Sequence, residues 1–378
     1  MKIPTHKIVK QKREKLGLTK KEFSDALGMP RGGEKTLRQW ELGEKIPSPS
    51  QLNLVINFPE EPPFKNDPST RYKIADLFAG IGGIRLGFNQ TQKVQTVFSS
   101  EIDKFAAKTY KANFGDIPQG DITEIESQDI PDHDILVGGF PCQAFSQAGL
   151  RKGFEDTRGT LFFHVARILN EKQPQAFLLE NVKNLRSHDK GKTLRTILDT
   201  LDEIGYTAHH EVLKARDFGV PQNRERIYIV GFRKDIDASN FKYPDALNIP
   251  TRLGDILEPE VDEKYTISDR LWQGHQRRKI KHQESGKGFG YTLFNEESPY
   301  TNTISARYYK DGSEILIAQE GKNPRRLTPR EAARLQGFPE EFIIPVSDTQ
   351  AYKQFGNSVA VPVIHAIATN MLKVLDNA

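Results

Sequence analysis

The sequence predicts an α/β protein, an open and largely parallel sheet flanked by helices, preceded by a small all-α module and interrupted by a second module of β and loop character. Three observations carry this. Short apolar runs at Lys73–Phe78, Thr96–Ser100, Ile135–Val137 and Ala176–Leu179 each stop at a glycine, a proline or an acidic residue, as buried parallel strands do. Helical stretches separate several of them, the signature of βαβ units. The first 57 residues instead carry helix caps and helix stops.

At 378 residues the chain has room for two or three domains, and 37% hydrophobic with 28% charged residues is ordinary for a globular protein. No apolar run approaches the roughly 18 residues of a membrane span, the amino terminus has no signal-peptide core, and a single cysteine forms no internal disulfide. These features lead us to expect a cytoplasmic protein. The net charge of +4 is uneven, because residues 1–57 hold 12 Lys and Arg against 6 Asp and Glu. A basic module on a near-neutral body suits a polyanionic partner, although a solvated charged face would look the same.

Residues 6–57 read as four short helices. Thr19 and Glu22 form a capping box, flanked by Leu18 and Phe23 as a hydrophobic staple, so a helix runs from Lys20 to Leu27 and stops at Gly28. A second runs from Glu34 to Leu42 and stops at Gly43, with Leu37 and Trp40 on one face. Two short helices around a glycine-bearing turn make a helix-turn-helix. Prolines 59, 62, 63 and 68 with Glu60 and Glu61 mark residues 58–70 as a stiff polar linker.

The sheet domain is expected over 71–243 and 325–378. The strand at Lys73–Phe78 turns through Gly80, Gly82 and Gly83 into a helix, which lets backbone approach a ligand. The second strand ends at Glu101 and Ile102, 25 residues beyond Asp76, where such folds hold ribose hydroxyls; Asp121 and Ile122 close the next unit. The strand Ile135–Val137 then runs into Gly138-Gly139-Phe140-Pro141-Cys142-Gln143. A lone cysteine is ordinarily a small buried hydrophobe, but here it follows the carboxyl end of a strand, the ligand edge of an open α/β sheet. Gln143–Thr160, long and without periodicity, reads as a lid, and Leu161 opens a helix. Ala176–Leu179 ends in Glu180-Asn181-Val182, which brings a carboxylate to the cysteine's edge. Arg224 and Arg226, two apart in an extended segment, face the same way. Residues 244–324 lose periodicity: 270–287 hold six Lys and Arg against one Glu, and Thr303–Ile317 alternates like an irregular hairpin. A capped helix at Thr328 and a long apolar helix over Ser358–Leu375 return the chain to the sheet domain.

Two resemblances follow. Thr36-Leu37-x-x-Trp40-Glu41-x-Gly43-x-x-x-Pro47 resembles the repressor-type helix-turn-helix, which implies a second helix in the major groove with Lys35, Arg38 and Gln39 toward bases or phosphates. The ordered set Phe78-Ala79-Gly80-x-Gly82-Gly83, Gly139-Phe140-Pro141-Cys142-Gln143, Glu180-Asn181-Val182, Gln222-x-Arg224-x-Arg226 and Gln354-Phe355-Gly356-Asn357-Ser358-Val359 closely resembles the DNA (cytosine-5)-methyltransferases of bacterial restriction-modification systems. That resemblance implies a Rossmann-like, S-adenosylmethionine-dependent sheet domain and a target-recognition domain over 244–324. Cys142 would be the nucleophile, Glu180 would hydrogen-bond the cytosine ring, and Arg226 with Arg224 would hold its O2 and a phosphate. The donor would lie on Phe78, Gly80, Gly82, Gly83, Glu101, Ile102, Asp121, Ile122, Leu161, Asn357 and Ser358. The Thr303–Gly312 segment looks like that of enzymes reading CCNGG or CC(A/T)GG, with Arg307 and Lys310 toward guanine. The expected partner is duplex DNA, bound by a monomer for catalysis and by a dimer at an operator. Two alternatives stand beside this reading: a transcriptional repressor first and foremost, and an RNA cytosine methyltransferase sharing the catalytic motifs.

Overall fold

The computed structural model describes residues 4–29, 32–141, 161–286, 288 and 290–378. Four helices open it: α1 (Thr5–Lys15), α2 (Lys20–Ala26), α3 (Gly33–Leu42) and α4 (Pro49–Asn57). The Thr19–Glu22 capping box forms in both directions, and Gly28 takes the left-handed conformation past the end of α2. Val9, Phe23, Leu37, Trp40 and Val55 make one small core, one buried residue or pair from each helix. Below about 40–60 residues such a core is marginal alone, and ion pairs brace it, Arg13 with the buried Glu41 among them.

The 58–70 segment is bound to the body rather than free. Phe64 packs between Phe114 and Phe342, with ring centroids 6.0 and 6.3 Å away. Asn66 Oδ1 accepts from Thr96 N and Arg85 Nη2, both at 2.9 Å. Polar and proline composition suggested a spacer, whereas the two anchoring side chains find partners far along the chain.

The body is a six-stranded sheet. Its elements are β1 (Tyr72–Leu77), α5 (Gly83–Asn89), β2 (Val94–Ser99), α6 (Lys104–Phe114), β3 (Ile135–Gly139), α7 (Leu161–Lys172), β4 (Ala176–Val182), α8 (Lys192–Glu203), β5 (Tyr206–Lys214) and β6 (Glu225–Arg233). The strand order is β2-β1-β3-β4-β6-β5; the first four are parallel, while β6 runs antiparallel between β4 and β5. Alternate strand residues serve opposite cores. Ile74, Ile135, Val137, Leu178 and Val230 pack on α5 and the carboxyl-terminal helix, and Ala75, Leu77, Leu136, Phe177 and Leu179 pack on α7 and α8.

Beyond β6 lie α9 (Asp269–Ser285), β7 (Leu293–Phe294), α10 (Tyr308–Asp311), β8 (Leu316–Gln319), β9 (Lys322–Arg325), α11 (Pro329–Leu335), α12 (Asp348–Asn357) and α13 (Val361–Asp376). The insertion is mostly loop and short strand, as expected, but its basic stretch lies in the 17-residue helix α9, whose inward side carries Trp272, His275 and Lys279 against Tyr291. One expectation is corrected here. The 303–317 hairpin is absent: residues 308–311 form one helical turn closed by Gly312 at φ 66°, and the hairpin is β8–β9 around Gly321. Tyr308 forces that turn inward, its hydroxyl donating to Ile315 O at 2.7 Å and accepting from Leu327 N at 2.8 Å. The apolar carboxyl terminus is two helices, since α12 stops at Asn357 and α13 restarts with Pro362 in its first turn. Residues 348–376 include an 18-residue window of high mean hydropathy, interrupted by polar residues and 61% buried inside the protein, as the helices of a core are.

Candidate active site

A cavity of about 490 Å³ opens at the carboxyl edge of β1, β2, β3 and β4, within the roughly 300–1,000 Å³ of small-molecule sites. Parallel strands bring these ends together, and each ends in a residue that lines the space. Phe78 follows β1 with φ 53°, a left-handed backbone uncommon for a side chain of its size. Gly80 also has a positive φ. Gly83 is the close-approach glycine: a Cβ there would stand 2.6 Å from Ser358 Oγ and 2.9 Å from Val359 Cγ2.

Glu101 follows β2, its carboxylate accepting from Asp103 N at 2.7 Å and Gly80 N at 2.8 Å. Burial pushes its pKa up and these backbone donors pull it down. Ile102, Asp121, Ile122, Leu161, Asn357 and Ser358 line the same cavity, so nearly all the residues expected from sequence to meet a donor converge on one space. Gly82 does not. It caps α5 at φ 83° with its Cα against Phe114, where a Cβ would lie 2.2 Å from the ring, so it shapes the turn without facing the cavity. Gln350, Lys353 and Gln354 of α12 also line the cavity and were given no site role from sequence; the Gln354-Phe355-Gly356-Asn357 motif was the available signal.

Beneath this edge Asp76 is fully buried, and neither carboxylate oxygen has a hydrogen-bond partner. Burial pushes its pKa up to about 7, Glu101 adds to the rise and Arg85 opposes it. A raised carboxyl pKa gives stability that is complete below the unfolded value near 4 and lost as pH rises through 7. Asp76→Asn should therefore be increasingly more stable than the parent from pH 5 to 7, levelling off above; the shift to about 7 sets an upper limit of roughly 4 kcal/mol. Thermal melts across pH 5–8.5 check this, and a constant difference would contradict it.

Register assembles the other half of the site. Glu180 pairs with Gly139 across β3–β4, three residues before Cys142, and a Cβ at Gly139 would sit 3.4 Å from Glu180 Oε2. Across β4–β6, Glu180 faces Tyr228 and Val182 faces Arg226, so Glu180 and Arg226 are diagonal neighbours on one face. Arg226 Nε stands 3.0 Å from Glu180 Oε1 as an ion pair, off the direction of a well-formed hydrogen bond, which leaves that oxygen without a directed donor. Burial raises the Glu180 pKa against the pull of Arg226 and then Arg224. Asn181 Nδ2 donates to Phe140 O at 2.8 Å and ties this strand end to the cysteine loop.

Cys142 and the Gln143–Thr160 lid lie outside the described residues, although Phe140 and Pro141 bring the chain to the cavity wall. Arg224, 3% exposed, also lines the cavity; its Nη1 and Nη2 donate to the carbonyls of Ile304, Gly356 and Ser358, which commits those two nitrogens within the protein and leaves only Nε without a partner. Lys35 and Arg38 are exposed and Gln39 is half-buried on α3, opposite the buried Leu37 and Trp40. Arg307 and Lys310 are exposed on the turn around α10. No cluster of three metal-ligating side chains occurs among the described residues.

A parallel sheet edge with a carboxylate at its second strand tip, a glycine cradle and a buried acid–guanidinium pair defines a Rossmann-like group-transfer enzyme, here joined to a helix-turn-helix. The model of the C-5 cytosine-specific DNA methylases matches residues 72–373 and that of a helix-turn-helix matches 9–63. The chain belongs to the C-5 cytosine-specific DNA methylase family and is a type II DNA cytosine-5 methyltransferase with a helix-turn-helix domain, acting on duplex DNA. It is 67% identical over 373 residues to the type II methyltransferase M1.ScrFI of Lactococcus lactis subsp. cremoris, covering 98% of this chain and 96% of the relative. It is 66% identical over 371 residues to M.SsoII of Shigella sonnei, covering 98% of each. Among solved structures, the S. pombe Dnmt2 methyltransferase superposes with a TM-score of 0.67 over 81% of this chain and 100% of its own, at 22% identity, a likeness of fold. The repressor-only and RNA readings are not favoured.

Proposed function

We propose that this enzyme methylates C5 of a cytosine within a CCNGG or CC(A/T)GG duplex site, shielding the DNA from a cognate restriction endonuclease. The observation that carries the chemistry is the buried Glu180 beside Arg226, paired across the sheet with Gly139, which lies three residues before Cys142. Cytosine C5 is a poor nucleophile until a thiolate adds at C6. Cys142 would form that bond and make C5 enamine-like; loss of the C5 proton and expulsion of the thiolate later restore the ring. Glu180, held toward its protonated form by burial, would hydrogen-bond N3 and the exocyclic amine, with Arg226 at O2. The base must leave the stack to reach this site, at a cost of a few kcal/mol.

The family and fold imply S-adenosylmethionine, and the cavity residues fit it: the glycine cradle at Gly80 and Gly83, an aromatic face at Phe78 and an acid at Glu101. When bound it supplies an electrophilic methyl group. Phe78 would stack on its adenine, Asp121 and Ile122 contact the adenine edge, Glu101 hold the ribose, and Leu161, Asn357 and Ser358 close around the methionine end. Arg307 and Lys310 are the residues proposed to read guanine. Base-resolution mapping of methylation on random-sequence DNA tests the site, and a different context would discard the CCNGG and CC(A/T)GG assignment.

The basic α1–α4 module is proposed to bind an operator through Lys35, Arg38 and Gln39 on α3, as a dimer, and so to regulate the genes of its own system. A chain beginning at Glu60 keeps Phe64 and Asn66 in place, and should still methylate DNA while losing its gel shift on the DNA upstream of its gene. Retained operator binding would move that function to the body of the enzyme.

A further inference from the structure

The cavity and the 301–312 segment meet through buried groups that the chemistry above leaves unused. Gln222, fully buried, accepts from Ile304 N at 3.0 Å and donates to Leu335 O at 3.0 Å. Two residues on, Arg224 donates Nη1 to Ile304 O at 3.3 Å and Nη2 to Gly356 O at 3.3 Å and to Ser358 O. Ile304 is thus held at both its N–H and its carbonyl by one pair of side chains. Gly356 makes the contact closer still: a Cβ there would lie 2.3 Å from the carbonyl carbon and oxygen of Ser305 and 2.4 Å from Ala306 N. On one side of this junction Gly356 and Ser358 line the cavity; on the other, Ser305 and Ala306 lead straight into Arg307 and Lys310.

We infer that Arg224 is a positioning residue that couples the two ligands, so that a filled cavity and an engaged DNA site each strengthen binding of the other. A buried guanidinium with carbonyl acceptors from both segments cannot release one without stranding donors away from water. The carboxyl end of α12 with Ser358 and the 304–310 segment therefore shift together or stay together. A ligand that fixes the helix end from the cavity side restricts the segment on the DNA side, and linkage makes the effect reciprocal. Sequence alone assigned Arg224 to substrate, because its partners are backbone carbonyls 80 to 134 residues away.

The inference rests on the cavity taking the donor and the 303–310 segment meeting DNA, and its test separates failure of that reading from its own. The affinity of the full-length enzyme for S-adenosylhomocysteine is measured with and without a short duplex that it methylates, and the affinity for that duplex with and without S-adenosylhomocysteine. The parent should show one coupling factor in both directions, on the order of 10-fold. Arg224→Met should bring that factor close to 1 while S-adenosylhomocysteine alone still binds, Arg224→Lys should restore part of it, and Gly356→Ala should lower it with the guanidinium intact. Thermal melts identify any unfolded variant, and the remaining substitutions then carry the comparison. A parent that binds both ligands without coupling overturns the inference, as does an Arg224→Met enzyme that loses affinity for each ligand yet keeps the coupling factor. A parent that fails to bind S-adenosylhomocysteine overturns the donor reading and the inference with it.

Discussion

Cys142→Ala is expected to reduce methyl transfer by a factor on the order of 10⁴ or more while leaving donor binding intact. The reasoning begins with what cytosine lacks: without covalent addition at C6, C5 is too weak a nucleophile to take the methyl group. A free thiol with a pKa near 8.5 is only a few per cent ionised at neutral pH, so the residue depends on a setting that stabilises the thiolate. Among the described residues, the Asn181–Phe140 hydrogen bond fixes the chain two residues before Cys142, and Arg226 pairs with Glu180 on the same cavity, where it is proposed to favour the thiolate. Phe78, Glu101 and Ser358, proposed to hold the donor, belong to other elements, so losing one sulfur should not disturb them. Single-turnover transfer of a labelled methyl group, paired with S-adenosylhomocysteine calorimetry, checks both halves. An alanine enzyme that still transfers would sink covalent addition, and one that no longer binds the donor would make Cys142 a wall of the cavity.

What could be read in advance follows a physical line. Strand ends were legible because a buried parallel strand must be apolar along its length, and a glycine, proline or acid marks where it leaves the core. That is why Phe78, Glu101, Gly139 and Glu180 were placed at one edge before any coordinates, and the sheet brings them there. The helix α9 was not legible, since its inner side is Trp272, His275 and Lys279, amphipathic groups that cover Tyr291 without an apolar stripe. Phe64 and Asn66 looked like linker because their partners at 85, 96, 114 and 342 are invisible to local pattern. Gly82 and Arg224 show the same limit at finer scale. Motif spacing located both residues, but only packing against Phe114 and bonding to three carbonyls reveal which way each one serves the site.

The second large effect is expected at Glu180. Glutamine keeps the shape and one donor but cannot exchange a proton, so Glu180→Gln should lower kcat by roughly 10²–10³ and leave the donor KM nearly unchanged. The pH profile is the sharper readout. Burial raises the Glu180 pKa, while Arg226 and then Arg224 pull it back, and the net shift is upward. If the protonated acid is the working form, activity is present below that raised value and falls as pH climbs through it. Cys142 works as the thiolate, so its contribution grows in the same direction, and the parent profile should be bell-shaped. In Glu180→Gln the basic limb should flatten, because nothing remains there to lose its proton. Arg226→Leu offers the signed control. Removing the adjacent cation disfavours the carboxylate, raises the Glu180 pKa further, and should carry the basic limb to higher pH even as overall activity drops. A limb that moved to lower pH, or that survived in the glutamine enzyme, would assign it to another group and leave Glu180 a hydrogen-bonding partner that stays ionised throughout.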